Sequence, residues 1–387
     1  EPFGELTFED AYDVYKEQIT AGEANGADLV IIETMTDTYE MKAAILAAKE
    51  NTKLPVFATF SFDEKGKLLT GADIACAVSL LEGLSVDALG INCGLGPQKM
   101  KMFLHQISEL SSLPIIIMPN AGMPVLQNGK TIFEVTPDDF AADMLEMALG
   151  GAQVIGGCCG TTPAHLKKTI ELCKDIKPKP VTDKELTVVS SYSKTCVIGE
   201  KPVIIGERIN PTGKKKLKEA LFKGDYDYIV EQGIEQQEAG AHILDVNVGM
   251  PGINESDALV RIVKDLQMSL TLPLQIDSAD SEAIEKCLRI YNGKALINSV
   301  NGKEEEMKKI FPLAKKYGGV LVALTLDEDG IPATAQGRLA IARKIINTAA
   351  QYGIEKKNII VDALTMTVGA SADAAKITLD SLALIKK

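Results

Sequence analysis

The sequence predicts an α/β protein of two (β/α)8 TIM-type barrels in tandem, each incomplete in this chain. Strand-like runs alternate with helix-like stretches through both halves, a pattern typical of a parallel sheet covered by helices. Side chains that can bind substrates or metals stand at the carboxyl ends of many of these strands, where barrel active sites lie. Neither half has the glycine fingerprint of a dinucleotide fold or of a phosphate-binding loop.

The first half contains five strand-like runs, too few to close an eight-stranded barrel. The predicted strands are 28–33, 55–60, 86–92, 114–118 and 152–155, and the helical stretches include 38–49, 74–82, 98–110 and 137–148. We therefore expect residues 1–182 to form a barrel that lacks its first strands.

The second half follows a stiff, proline-containing linker at 175–180. A β-branched run at 187–192 predicts a hairpin that closes the floor of the next sheet. The predicted strands are 203–209, 242–248, 274–277, 295–300, 320–325 and 358–362. Six strands again fall short of eight, so we expect residues 183–387 to form a barrel that lacks its last strands.

Composition limits the classes of function. The net charge of −12 argues against binding to nucleic acid or to an anionic membrane. No apolar run approaches the roughly 18 residues of a membrane span, and the opening residues lack the features of a secretory signal. Seven cysteines, an odd number, do not suggest a disulfide framework. We expect a cytoplasmic protein.

Three cysteines are the most informative residues. Cys93 lies in Gly-Ile-Asn-Cys-Gly, and Cys158 and Cys159 lie in Gly-Gly-Cys-Cys-Gly-Thr, each after a strand-like run. Thr162 and Pro163 predict a helix start just beyond, whose positive end would stabilise thiolates. Three thiolates at one strand-end face suit a zinc ion with an open fourth position. The alternative is three core cysteines, because free cysteine is often buried.

These cysteine segments resemble the cobalamin-dependent methionine synthase family, in its homocysteine-binding module. The second half is similar to the pterin-binding barrels of folate and corrinoid methyltransferases and of dihydropteroate synthase. The segments that carry this second resemblance are Gly-Glu-Arg-Ile-Asn-Pro-Thr at 206–212, Leu-Asp-Val-Asn-Val-Gly at 244–249, Gln-Ile-Asp-Ser at 275–278, Ile-Asn-Ser-Val at 297–300 and Val-Asp-Ala-Leu at 361–364.

The resemblance implies a methyltransferase. A zinc-activated homocysteine thiolate would be methylated to methionine from methylcobalamin, and 5-methyltetrahydrofolate would remethylate cob(I)alamin. The corrinoid-binding Asp-x-His-x-x-Gly motif is absent, so we expect the cobalamin to bind to a module outside this chain. Two alternatives stay open. One is a homocysteine S-methyltransferase with a small methyl donor, fused to another pterin-binding enzyme; the other is a non-catalytic scaffold that binds zinc and folate.

For the first site, the resemblance implies that Cys93, Cys158 and Cys159 are both zinc ligands and catalytic residues. Glu33, a buried-strand carboxylate by its sequence context, would meet the amino group of homocysteine or else pair with a backbone amide or a lysine. The Asn120 amide oxygen would bind zinc until substrate displaces it, or would cap a loop. We expect the other cysteines to be packing residues: Cys76, Cys173, Cys196 and Cys287.

For the second site, a pterin ring presents a row of donors and acceptors that fixed carboxylates and amides can match. The resemblance assigns this role to Asp277, Asn298 and Asp362. Four further strand-end residues would complete the folate pocket: Glu207, Asn210, Asp245 and Asn247. Each of them alone could instead cap the following loop. No lysine or histidine is a strong candidate for the general acid near folate N5.

Overall fold

A computed structural model describes residues 5–367, 369 and 373–387 of the chain. Its α/β class, with parallel sheets, is the predicted one. The helices are α1 Phe8–Ala24, α2 Thr38–Asn51, α3 Ile74–Gly83, α4 Pro97–Leu110, α5 Pro137–Gly150, α6 Pro163–Cys173, α7 Lys215–Lys223, α8 Tyr226–Glu238, α9 Glu255–Ser269, α10 Ser281–Ile290, α11 Glu304–Tyr317, α12 Ala335–Gln351 and α13 Ala374–Ile385. The strands are β1 Val30–Met35, β2 Val56–Phe60, β3 Ala88–Asn92, β4 Ile115–Met118, β5 Pro124–Gln127, β6 Lys130–Phe133, β7 Val154–Ile155, β8 Thr187–Ser190, β9 Thr195–Ile198, β10 Ile205–Ile209, β11 Ile243–Val246, β12 Leu274–Asp277, β13 Leu296–Asn301, β14 Val320–Leu324 and β15 Ile359–Asp362.

The chain divides into two compact units. The first contains residues 5–184 and 192–194, and the second contains residues 185–191 and 195–387. None of the helices in the described part of the chain combines the length and the low polarity that a membrane span requires.

The first unit is built on a five-stranded sheet in the order β1-β2-β3-β4-β7, with every neighbouring pair parallel. Strand β3 is buried along its whole length, as expected for a strand covered on both faces. Helices α2 and α3 bury apolar faces around the same sheet. Because the strands are parallel, their carboxyl ends all meet at one edge of the sheet, and the loops that leave this edge carry the three cysteines.

The second unit is built on a six-stranded parallel sheet in the order β10-β11-β12-β13-β14-β15. The predicted floor hairpin is present as β8 paired antiparallel with β9. Its Val189 and Cys196 pack against Ile243, Leu296 and Val320, at or next to the amino ends of three strands. This end of the sheet is therefore filled, and the polar strand ends lie at the opposite edge. The sequential strand order of both sheets is consistent with parts of (β/α)8 barrels.

Candidate metal centre and second strand-end site

The structure brings Cys93, Cys158 and Cys159 together at the carboxyl ends of β3 and β7. Their Sγ atoms all lie within 4.8 Å of one another, and those of Cys93 and Cys159 are 3.7 Å apart. Ligands about 2.3 Å from one ion at tetrahedral angles lie about 3.8 Å apart. The three residues, called the thiol cluster below, therefore fit a zinc ion in both donor type and spacing.

Strand β4 lies between β3 and β7 and anchors both ends of the cluster. The Cys93 amide donates to the Met118 carbonyl at 3.0 Å, and the Cys158 amide donates to the Pro119 carbonyl at 2.8 Å. Backbone bonds to one strand thus fix both cysteine segments, so the spacing of the sulfur atoms follows from the register of the sheet.

Helix α6 begins at Pro163 with Thr162 as its cap, as predicted. His165 fixes this start, because its Nδ1 accepts from the Thr162 amide at 3.2 Å and its Nε2 lies 3.0 Å from the Val135 carbonyl. An acceptor at Nδ1 and a carbonyl at Nε2 require the neutral ring with its proton on Nε2. The positive end of the helix therefore lies just beyond Cys159, where it favours thiolates.

Without a cation, the cluster disfavours ionisation of Cys158. Burial, together with the hydrogen bond and charge of neighbouring Cys93, raises the pKa of the Cys158 thiol to about 12. A bound dication reverses this effect, because a coordinating thiol loses its proton. Three thiols whose sulfur atoms lie this close together are a donor set that suits a metal ion.

Hairpin β5–β6, which is not among the predicted elements, packs against the cysteine loop. Gly160 has a φ of 78°, and a Cβ added there would overlap the Phe133 ring at the end of β6. The ring therefore lies directly on the turn that follows Cys158 and Cys159.

Substitution of Gly160 by alanine is expected to lower both the thermal stability and the metal affinity of the first unit. The new methyl group must displace Phe133 and shift the cysteine loop. Gly129→Ala is the matched control, since Gly129 has a similar φ of 74° but no atom near its Cβ position. That variant should show only the cost of a left-handed alanine, about 1–2 kcal/mol, with unchanged metal affinity. Equal metal affinity in both variants, measured by titration with zinc, would contradict the packing argument.

Asn92 is a residue of this site that the sequence-based predictions do not include. It is fully buried at the end of β3, and its amide nitrogen lies 3.8 Å from Cys158 Sγ. Its position directly before Cys93 is the available signal, because a polar residue at the end of an otherwise apolar buried strand needs partners.

Asn120 contacts the cysteine loop through its side chain. The Asn120 side-chain oxygen accepts from the Cys159 amide at 3.0 Å. This contact supports the loop-capping alternative, and the role as a zinc ligand stays a prediction.

Glu33 is exposed, contrary to the expected buried carboxylate. Strand β1 is an edge strand of the described sheet, and Ile31, two residues before Glu33 on the same strand, is also 43% exposed. A contact of Glu33 with homocysteine stays a prediction.

The second candidate site lies at the carboxyl ends of the second sheet. Asp277 and Asn298 are register partners on β12 and β13. Asp245 on β11 is buried, its Oδ1 accepts from the Gln275 amide nitrogen, and its Oδ2 has no hydrogen-bond partner among the described residues. An unpartnered buried carboxyl oxygen is costly, so this position favours a protonated acid or a bound donor.

Burial and the nearby charge of Asp277 raise the pKa of Asp245 to about 7. Burial also raises the pKa of Asp277, with Glu207 and Glu255 adding like charge. The edge of the sheet therefore holds several carboxyl groups close together, a setting that attracts hydrogen-bond donors.

The remaining predicted pterin residues lie at the same edge. In three of them a side-chain oxygen accepts a hydrogen bond from the backbone amide two residues later. These pairs are Asn210 with Thr212, Asn247 with Gly249 and Asp362 with Leu364. These contacts match the capping alternative, and each uses one side-chain oxygen. Glu207 is exposed, and the Lys214 amine lies 3.5 Å from its carboxylate. The direct role of these residues in binding stays a prediction.

Arg338 on α12 is a further residue that the predictions do not include. Its buried guanidinium donates to the carbonyls of Ala363 and Leu364 at 2.7 Å and 3.0 Å. It thereby holds the segment directly after Asp362. A buried arginine in a helix carries no local sequence signal for such a contact, since its partners are 25 and 26 residues away.

The stability of the second unit should depend on pH through Asp245. Between the unfolded value of about 3.9 and about 7, the folded state keeps a proton that the unfolded state has released, so stability falls as pH rises. Asp245→Asn cannot ionise, and its melting temperature should fall less than that of the wild type between about pH 5 and about pH 8. Asp329→Asn, which removes an exposed carboxylate, serves as the control. Parallel wild-type and Asp245→Asn curves would contradict this role.

Fold and sites together define a protein of two α/β units, one with a thiol cluster suited to zinc and one with carboxyl and amide groups at its strand ends. Residues 1–173 match the family model of homocysteine S-methyltransferases, and residues 206–387 match that of pterin-binding enzymes. The chain is therefore similar to homocysteine S-methyltransferases in its first unit and to pterin-binding enzymes in its second. The resemblance stated from the sequence is confirmed.

Curated relatives carry both units in one chain. The methionine synthase of Mycobacterium tuberculosis is 33% identical over 378 residues, which cover 94% of this chain and 32% of that protein. The methionine synthase of Mycobacterium leprae is 32% identical over 399 residues, which cover 97% of this chain and 33% of that protein. The chain thus spans about a third of the length of these relatives.

Solved structures each resemble a part of the chain. The metallated form of the homocysteine methyltransferase MmuM from Escherichia coli has a TM-score of 0.36 and 27% identity, covering 43% of this chain and 52% of its own. The dihydropteroate synthase of Yersinia pestis has a TM-score of 0.39 and 17% identity, covering 51% of this chain and 70% of its own.

Proposed function

We propose that the first unit binds zinc through Cys93, Cys158 and Cys159 and activates homocysteine for methylation to methionine. The observation that carries this proposal is the spacing of the three Sγ atoms, all within 4.8 Å. When bound, zinc supplies a fourth ligand position and deprotonates a thiol held there. Three cysteine thiolates surround that position with negative charge, so a substrate sulfur remains electron-rich and nucleophilic.

The second unit, in this proposal, binds 5-methyltetrahydrofolate at its strand-end carboxyl and amide groups. The Asp277 carboxyl group accepts hydrogen bonds from the amino and ring N–H groups of the pterin, and Asn298 beside it both donates and accepts. Asp245 adds a buried carboxyl group with an unpartnered oxygen. Asp362 lies at the end of β15, two strands away from Asn298 on β13. Arg338 holds the segment that follows Asp362.

The complete reaction is a two-step methyl transfer. 5-Methyltetrahydrofolate would methylate cob(I)alamin, and the resulting methylcobalamin would methylate homocysteine, with the cobalamin carried by a module separate from these two units. Two observations support this two-step reaction: the two family matches in one chain, and the identity of 32–33% to methionine synthases over both units.

Two half-reactions with free cobalamin test the proposal. Methylcobalamin with homocysteine should yield methionine, and cob(I)alamin with 5-methyltetrahydrofolate should yield methylcobalamin, both followed by the cobalamin absorption spectrum. Methionine formation from a small sulfonium donor, with none from methylcobalamin, would favour the fused small-donor enzyme. Binding of zinc and folate without turnover in either half-reaction would indicate a scaffold.

A further inference from the structure

The orientation of the Asn92 side chain is fixed by its partners. Its Oδ1 accepts from the Thr34 amide and from the Thr59 hydroxyl, both at 2.7 Å. A backbone amide can only donate, so the oxygen must be the atom that faces it. The amide nitrogen therefore faces the other way, toward Thr34 Oγ1 at 2.7 Å and Cys158 Sγ at 3.8 Å.

We propose that Asn92 is a positioning residue of the thiol cluster, whose amide N–H donates to the Cys158 sulfur and sets its orientation and electron density. This inference rests on the proposed metal site and goes beyond its three ligands. The buried Asn92 amide connects the end of β3 to the Cys158 sulfur.

The backbone around Asn92 has an uncommon conformation at two residues. Thr34 and Cys93 have φ values of 63° and 57°, a left-handed conformation that a β-branched threonine rarely adopts. Asn92 holds Thr34 through both its amide and its hydroxyl. Such strain persists where neighbouring contacts determine the conformation, and it is concentrated at functional sites.

The link also has an electrostatic consequence. Three thiolates around one ion repel one another, and an N–H donor places partial positive charge beside one of them. Asn92 has no exposed surface, so water cannot readily replace the lost donor. Loss of a hydrogen bond to a metal ligand typically lowers metal affinity about 10–100-fold.

Binding of Co²⁺ and Zn²⁺ to the whole chain tests the inference, with Co²⁺ as a spectroscopic probe. Asn92→Asp keeps the size of the side chain and removes the donor; Asn92→Ser is too short to reach the sulfur and serves if the first variant does not fold. Both should bind metal about 10–100-fold more weakly. Their sulfur-to-cobalt charge-transfer band should move to lower energy, because the sulfur electrons lose a stabilising N–H.

Thr59→Val is the matched control. It breaks a 2.7 Å hydrogen bond to the same amide but leaves the N–H that faces the sulfur. Its melting temperature should fall while its metal affinity and its charge-transfer band stay those of the wild type. Asn92 variants with wild-type affinity and band position, and only a lower melting temperature, would overturn the inference alone. Failure of the wild type to bind either metal would overturn the metal site and the inference together.

Discussion

Replacement of Cys158 by alanine is expected to remove tightly bound zinc and to abolish homocysteine methylation. The variant leaves two thiolates where a catalytic zinc site needs three protein ligands. Folate binding should be unchanged, because the residues proposed to bind it belong to the second unit. Cys93→Ala and Cys159→Ala should behave alike, since all three sulfur atoms share one centre.

Metal analysis of the purified variants, together with the methylcobalamin half-reaction, checks this expectation. Cys173→Ala is the matched control, because Cys173 is a half-buried cysteine at the end of α6 that does not belong to the thiol cluster. It should retain zinc and activity. Full zinc occupancy in Cys158→Ala would contradict the assignment of the metal ligands.

Alanine at Asp277, Asn298 or Asp362 is expected to weaken 5-methyltetrahydrofolate binding by about 1–3 kcal/mol in each case, which is about 5–150-fold. Each substitution leaves a donor or acceptor of the pterin without its partner at the proposed binding edge of the sheet. Zinc content should stay at the wild-type level. Calorimetric titration with 5-methyltetrahydrofolate gives the affinities.

Asn358→Ala is the control for Asp362→Ala. Asn358 directly precedes β15, at the opposite end of the strand from Asp362, and its Oδ1 accepts from the buried Lys294 amine at 2.7 Å. Its loss should reduce stability and leave folate affinity unchanged. Wild-type folate affinity in all three strand-end variants would mean that these residues only cap loops. It would also remove the structural support for a folate site.

Local patterns were sufficient to predict much of the fold. Apolar runs located the central strands, since parallel strands buried on both faces read as continuous hydrophobic segments. The glycines around the cysteines and the Thr162–Pro163 pair located the thiol cluster and the start of α6, because both signals act within a few residues. The hairpin β5–β6 also had a local signal: its turn is Asn128-Gly129, both with positive φ, the sequence preferred in two-residue hairpins.

Other features depend on contacts between distant parts of the chain. Asn92 meets Thr34 and Cys158 across 58 and 66 residues, so its function follows from the order of the strands. Exposure of Glu33 follows from the edge position of β1, which a strand-like run of residues does not reveal. The raised pKa of Asp245 depends on burial and on Asp277 of the neighbouring strand.

X-ray absorption at the zinc edge, with and without homocysteine, reports the number of sulfur ligands on the metal. We expect three sulfur ligands in the protein alone and four after homocysteine is added, because the substrate sulfur takes the open position. The added sulfur should be absent in Cys158→Ala. A zinc environment with fewer than three sulfur atoms, or a sulfur count that homocysteine does not change, would contradict the claim that this chain activates homocysteine on its thiol cluster.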